Sequence, residues 1–431
     1  MFSSTRIFRA PILAAFITAR VAAANVDAPE LAAPGAASVG LTEKVIVHRD
    51  QVDPMRAVAD RQIVTRDRSL RLMVWYPAKS GGRAVPYQAS LSEPPPLPSK
   101  SFELPSLAVR DAKPDGEHHP VVIISHGFAN DPAMMSWIGE NLATKGYVVV
   151  AIAHHDPGYT EINKLIESLV WRPLDIAFVA HEIRNGLLGR IADPSRIALI
   201  GYSIGGYGVL TAAGARLDPA EQTFGALPSH WLDRYEPGGS EEGALSAGDV
   251  RAIIAIAPTG KTPFATWGKD GLTGVRAPLL LIVGDADRVV GFKPGVADIF
   301  AEAVDASRTL LVFKEAGHSI GADPVPEGMR GSLWDQDWFE DPVWRKDRVT
   351  SISLHFITAF LDLHLKGDAS REAYFQVSDP DSDRSPWSDP ETRYDAVSQG
   401  GSNTAWKGFV RNHQAGLVLR HLDPEQQGDG L

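Results

Sequence analysis

The stretch RIALIGYSIGGYGVLTAAGAR, residues 196–216, carries three signals in one run. RIALI is a short continuous apolar segment of the kind that a strand buried on both faces produces. GYSIG follows, with Gly201 and Gly205 two places either side of Ser203. That spacing suits a sharp strand-to-helix turn, because the central residue of such a turn takes strained backbone angles that only small neighbours accommodate. The small residues beyond 204 then suit a helix packed closely on a sheet. A serine at such a turn stands clear of the strand end, as a nucleophile must. A Gly-rich turn with an incidental serine would need neither the strand before it nor the helix after it.

Outward from this run the same rhythm repeats. Strand-like segments fall over 121–125, 147–153, 196–200, 252–257, 279–283 and 309–313, and helix-like ones over 134–145, 173–188, 204–216 and 293–303. Runs such as VVII, YVVVAIA, AIIAIA and LLLIV lack polar alternation, which predicts an α/β fold with a mostly parallel central sheet flanked by helices. Ahead of it, 43–47 and 70–76 alternate as antiparallel edge strands. The segment 77–120 is rich in proline, including Pro94-Pro95-Pro96, and reads as an exposed loop. Three stretches interrupt the rhythm, 160–171, 217–249 and 319–349, the last holding Trp334, Trp338 and Trp344. Insertions between sheet elements sit above the strand ends, so these are candidate lid-like segments and pocket walls. Residues 370–431 are polar and poor in periodicity, and read as a wrapping or mobile tail.

Composition narrows the function. With 431 residues, 44% hydrophobic and 22% charged, the chain suits one large domain over 41–369. The formal net charge of −11 disfavours nucleic acid and anionic membrane surfaces as partners. Cysteine is absent, which excludes disulfides, thiolate metal sites and a cysteine nucleophile. Residues 1–24, with Arg6 and Arg9, an apolar stretch and Ala22-Ala23-Ala24, have the form of a secretory signal peptide, and an Ala/Pro-rich linker follows over 25–40. A secreted or periplasmic protein is the expectation. No other stretch is apolar for the ~18 residues that a membrane span requires.

A serine hydroxyl becomes a nucleophile when a base takes its proton, and that base must be oriented by a carboxylate. Two later strand ends supply candidates: GDADRV at 284–289, and KEAGHS at 314–319. The order Ser203, Asp287, His318 places each member just past a strand. Asp287 is favoured over Asp285, which sits closer to the turn glycine and is better placed to hold the turn. Donors for a developing oxyanion are expected at the amides of Ile204, next after the nucleophile, and Phe128, in the His126-Gly127-Phe128 loop after the first parallel strand. His126, Gly127, Tyr202 and His155 are the further candidate pocket residues. His154-His155-Asp156 invites a metal reading, but adjacent side chains at a strand end point opposite ways. No metal and no cofactor is expected.

At these residues the chain resembles the α/β-hydrolase superfamily, and more narrowly the exported dienelactone-hydrolase-like proteins that group with platelet-activating-factor acetylhydrolases and polyester hydrolases. The motifs are WYPA at 75–78, HGF at 126–128, RPLDIAFVAHEI at 172–183, GYSIGG at 201–206, GDADRVV at 284–290 and GHS at 317–319, and the similarity covers roughly 70–362. Dienelactone hydrolases proper use a cysteine nucleophile, which this chain lacks. The resemblance implies a cofactor-free serine esterase acting on short-acyl or aromatic esters through an acyl-enzyme, with acetylated, phthalate-type or polyester substrates. The same triad also serves peptidases and amidases, and a hydrolase fold can serve as a binding module without catalysis.

Overall fold

In the computed structural model, which describes residues 25–53, 64–92, 97–159, 165–227, 230–385, 405–410 and 412–426, the continuous apolar runs become the middle of a sheet. The expected signal peptide and the Pro94-Pro95-Pro96 run lie outside the described residues.

The strands are β1 (Ser38–Val52), β2 (Thr65–Ala78), β3 (Tyr87–Leu91), β4 (Lys100–Leu104), β5 (Val109–Arg110), β6 (His119–Ser125), β7 (Val148–Ala153), β8 (Ala192–Tyr202), β9 (Ala252–Ile256), β10 (Leu279–Gly284), β11 (Arg308–Phe313) and β12 (Leu417–Leu422). Ten of them form one sheet in the order β12-β11-β10-β9-β8-β6-β7-β2-β1-β5. From β11 to β7 every pairing is parallel, while β2 joins β7, and β1 joins β2, antiparallel. The helices are α1 (Ser136–Thr144), α2 (Leu165–Arg184), α3 (Ile204–Ala212), α4 (Ala297–Glu302), α5 (Leu333–Asp337) and α6 (Lys346–Lys366). All five of Leu279 to Val283 are fully buried. Each such aliphatic side chain contributes about 1.5–3 kcal/mol, and a sheet covered on both faces needs that apolar run.

The chain leaves β6 toward β7 on one side and returns to β8 on the other, so the strand order reverses between β6 and β8. A crevice opens at the carboxyl ends of the strands at such a point. Ser125, the last residue of β6, is paired with Gly201 of β8, which puts the HGF loop and the GYSIG turn side by side.

Four elements differ from expectation. The 77–120 segment is not simply an exposed loop, because β3 and β4 form a hairpin that buries Tyr87, Leu91, Phe102 and Leu104. Tyr87 Oη accepts from Trp75 Nε1 at 2.7 Å and donates to buried Glu140 at 2.5 Å. The strands are short and carry Gln, Ala and Ser between their apolar positions, so the alternation is faint. α2 begins at Leu165, with Pro173 in its interior and Leu169, Val170 and Trp171 buried; the part of 160–171 that is described is therefore a core helix and not a lid. Proline in a helix deprives the carbonyl four residues earlier of its donor. Here that carbonyl, Leu169 O, accepts from the Tyr207 hydroxyl of α3 at 2.6 Å. α4 starts only at Ala297, since Lys293, Pro294 and Gly295 have non-helical angles. Finally, β12, from within the expected tail, pairs antiparallel with β11 and buries Leu417 and Leu419.

His355 of α6 ties the early chain to the domain. Its Nδ1 accepts the Leu31 N–H at 3.1 Å, and Phe356, Tyr374 and Phe409 surround its ring. Burial, helped by the Lys145 charge, pushes it down to about 3. The unfolded chain takes this proton near pH 6.5, so it binds more protons than the folded chain between about 6.5 and 3, and stability falls as pH falls through that window. His355→Asn keeps an acceptor without titrating. Thermal unfolding at pH 7.5 and 4.5 should show wild type losing on the order of 2 kcal/mol more than this variant across the interval; equal losses would refute the assignment.

Candidate active site

The GYSIG turn sets the position of everything else. Ser203 has φ 56° and ψ −119°, a left-handed conformation that strains a residue with a side chain. The turn is tight enough that a Cβ on Gly201 would lie 2.1 Å from the Gly205 carbonyl oxygen, and one on Gly205 2.0 Å from that of Ser125. Both contacts are with backbone, so neither can be relieved by turning a side chain. The second contact also shows how closely the start of α3 is pressed under the end of β6.

His318 Nε2 lies 3.0 Å from Ser203 Oγ, and its Nδ1 lies 2.7 Å from Asp287 Oδ2. The other Asp287 oxygen accepts the amides of Val289 at 2.8 Å and Val290 at 3.1 Å. Burial alone would raise this carboxyl; the His318 hydrogen bond and charge, together with the two amides, hold it below its ordinary value. A carboxylate only accepts, so Nδ1 carries a proton, and in the neutral ring Nε2 then faces the serine hydroxyl as an acceptor. It is Asp287 and not Asp285 that meets His318: Asp285 accepts the Glu315 amide at 2.5 Å and fastens the turn before the histidine.

The histidine loop is pinned along its length. The Gly317 amide donates to Asp341 at 2.6 Å, the His318 carbonyl accepts from Tyr202 Oη at 2.9 Å, and the Ser319 carbonyl accepts from buried Lys346 at 2.6 Å. The Tyr202 ring also stacks on His318 at 5.2 Å, so Tyr202 holds both the backbone and the ring of this residue. Asp341 and Lys346 have no local sequence signal, because their partners are backbone groups more than twenty residues away.

Two of the proposed pocket residues are corrected. His126 is 2% exposed, with Nδ1 2.7 Å from the Gly127 carbonyl and Nε2 accepting the His154 amide at 3.3 Å; it shapes the loop from beneath and is closed off from any pocket. His155 is exposed and bonds the Ser69 carbonyl of β2 at 2.7 Å, three strands along from β8, which ends just before Ser203. Next to it His154 turns inward to Ser125 and Asp175, so the two histidines diverge. Among the described residues no group of three His, Cys, Asp or Glu side chains could hold a metal.

Of the interrupting stretches, 319–349 reaches the site. Trp338 Nε1 donates to Asn130 at 2.9 Å, and Tyr159 sits edge-on to both Phe128, at 5.4 Å, and Trp338, at 6.2 Å. Phe128, Tyr159 and Trp338 thus form an aromatic wall beside the HGF loop. Trp344, by contrast, is buried against Phe313 and donates to the Lys314 carbonyl. Tryptophans at 334, 338 and 344 look alike in sequence, and only packing separates them.

A mostly parallel open sheet, with a serine elbow at its switch point and a histidine loop after β11, is the α/β-hydrolase fold. Residues 113–221 match the family model described as PET hydrolase-like. Over 100 residues the chain is 31% identical to cutinase est1 of Thermobifida alba, and over 103 residues it is 29% identical to cutinase cut1 of Thermobifida fusca. Each match covers 22% of this chain and about a third of the relative, 31% and 29% respectively. The solved ferulic acid esterase from Streptomyces cinnamoneus superposes with a TM-score of 0.52 at 19% identity, covering 80% of this chain and 93% of that one.

The elbow geometry predicts a sharp contrast between glycines. Gly205→Ala forces a backbone clash and should lower the thermal midpoint by about 3 °C or more. Gly331→Ala, where a new Cβ meets nothing within 4 Å, should leave it unchanged. Equal midpoints for the two variants would show that the close approach at Gly205 is not required.

Proposed function

We propose that the chain is a serine carboxylic-ester hydrolase. The observation that carries this reading is the continuous hydrogen-bonded line from Asp287 through His318 to the Ser203 hydroxyl, 2.7 and 3.0 Å, on a strained elbow at the strand ends. In this reading His318 accepts the Ser203 proton as the hydroxyl attacks the ester carbonyl. Asp287 keeps the imidazole in the required tautomer and balances its charge. The tetrahedral oxyanion is met by the amides of Ile204 and Phe128, each contributing on the order of 100-fold in rate. His318 then protonates the leaving alcohol, and the acyl-enzyme is hydrolysed by water under the same base. No step needs a cofactor.

The aromatic wall of Phe128, Tyr159 and Trp338 favours esters with a flat or aromatic group. Aromatic faces there supply apolar area and edge-to-face contacts worth about 0.5–1.5 kcal/mol each. The similarity to cutinases, to a PET hydrolase-like family and to a ferulic acid esterase supports the same substrate range. The amino-terminal segment 1–24 supports export, to the periplasm or beyond.

Purified protein should hydrolyse p-nitrophenyl esters, with a preference along the series from acetate to palmitate that reports acyl length. Ser203→Ala should lose at least about 10⁴-fold in kcat. Wild type inactive on every ester, or a variant that keeps its rate, would overturn the proposal. Trp338→Ala should raise KM for bis(2-hydroxyethyl) terephthalate about fivefold or more and leave KM for the wholly aliphatic ester ethyl butyrate within about twofold. An equal change on both substrates would remove the aromatic wall from the account.

A further inference from the structure

Beneath the loop that carries Phe128 runs a buried chain of polar groups that the serine chemistry does not itself use. Arg172 of α2 is fully buried. Its Nη1 donates to Ser125 Oγ at 3.0 Å and to the His126 carbonyl at 2.5 Å, and its Nη2 donates to the Gly127 carbonyl at 3.2 Å. The same guanidinium grips both oxygens of Asp156, through Nε at 3.0 Å and through Nη2. Burial would raise the Asp156 carboxyl, but the Arg172 charge and hydrogen bonds hold it below its ordinary value.

Ser125 Oγ also lies 3.0 Å from His154 Nε2, and His154 Nδ1 lies 2.9 Å from Asp175, which Arg68 holds from the other side at 2.9 Å. Ser125, His154 and Asp175 therefore repeat the hydrogen-bond order of Ser203, His318 and Asp287. This second set is sealed: Ser125 and Asp175 have no exposure, and the His154 side chain has 1%. With Arg172 donating into Ser125 Oγ and no path to an ester, its serine is an anchor and not a nucleophile.

Each proton in the chain has one place. Burial foremost, then the Arg172 charge, keeps His154 and His126 well below their ordinary values, hence neutral. His154 donates a hydrogen bond from Nδ1 to Asp175 and accepts one from the Ser125 hydroxyl at Nε2. His126 accepts the His154 amide at Nε2 and so donates from Nδ1 to the Gly127 carbonyl. Two arginines balance two aspartates, and no donor is left to choose between partners.

The lines converge on the Gly127 carbonyl, which accepts from Arg172 Nη2, His126 Nδ1 and the Asn130 amide at 3.4 Å. That carbonyl and the Phe128 N–H belong to one trans peptide, in which C=O and N–H point in opposite directions. Fixing the carbonyl downward fixes the amide outward. We propose that Arg172, braced by Asp156, is a positioning residue that locks the Gly127–Phe128 peptide and so aims the Phe128 amide at the oxyanion. Arg172 meets no substrate, and its effect is confined to the stage at which negative charge develops on the carbonyl oxygen. The proposal rests on the serine-esterase reading.

The test compares wild type with Arg172→Met/Asp156→Asn, which removes both charges together and leaves neither buried alone. On p-nitrophenyl butyrate, kcat should fall about 100-fold with KM within about threefold. The affinity of a trifluoromethyl ketone, which adds to Ser203 as a tetrahedral oxyanion, should fall by a similar factor. Circular dichroism and the thermal midpoint report whether the double variant folds; if it does not, Arg172→Lys, which keeps the charge beside Asp156 and loses the fork, carries the same two readouts. A folded variant with wild-type kcat overturns the proposal, and so does a kcat loss that leaves ketone affinity intact. Wild type without ester turnover would instead overturn the esterase reading and this proposal with it.

Discussion

The close approach of β6 to the start of α3 is the contact on which the site depends. It exists because Gly205 has no Cβ where Ser125 offers its carbonyl oxygen. One missing carbon lets two neighbouring parallel strands deliver their carboxyl ends to one point. The Ser203 hydroxyl and its neighbouring amide come from one strand, and the HGF loop from the other. Strain at Ser203 is tolerated because the sheet around it is fully buried, and its rigidity holds φ at 56°. The energy that keeps the serine raised is thus supplied by apolar residues such as Ile197, Leu199 and Ile200 that never meet a ligand.

The polar groups follow a second rule. Two ion pairs lie buried under the HGF loop: Arg172 with Asp156, and Arg68 with Asp175. Such pairs add little net stability, because desolvation offsets most of their attraction. What they do supply is direction, since a buried donor without its acceptor costs several times what the bond is worth. The same logic fixes the histidine loop, where the Asp341 carboxylate, the Tyr202 hydroxyl and the Lys346 ammonium each hold one backbone group.

The sequence reveals the parts of this design that repeat along the chain. VVII, VVVAIA, AIIAI and LLLIV are legible as strands because burial on both faces leaves no polar position to confuse the period. Ser203, Asp287 and His318 are legible because each follows such a strand within a few residues. Elements whose burial is one-sided are harder to read: the β3–β4 hairpin alternates over only five residues per strand, and LVLRHL of β12 carries Arg420 on one face and His421 on the other. Pro173 suggests a helix start, and its place inside α2 depends on a hydroxyl supplied by α3. Arg172 and Asp156 stand in plain view within RPLD and HHD, but their meeting under Gly127 is a fact of three dimensions. His126 and His155 show the converse: proximity in sequence to a reactive loop does not decide which way a ring turns.

β12 is supplied by residues that follow β11 by more than a hundred positions, and it covers the outer edge of the strand that leads to His318. During synthesis, then, the strand before His318 is complete long before its edge is closed. Until 417–422 have emerged, Leu310, Leu311, Val312 and Phe313 lie on a strand with one row of unpaired amides and carbonyls, a template for any other extended chain. Charged residues and prolines make up 16 of the 50 residues between α6 and β12, and such residues are poor partners for an open strand edge. The late strand makes the closing of the sheet edge beside the His318 loop a matter of timing on the ribosome as well as of packing in the finished fold.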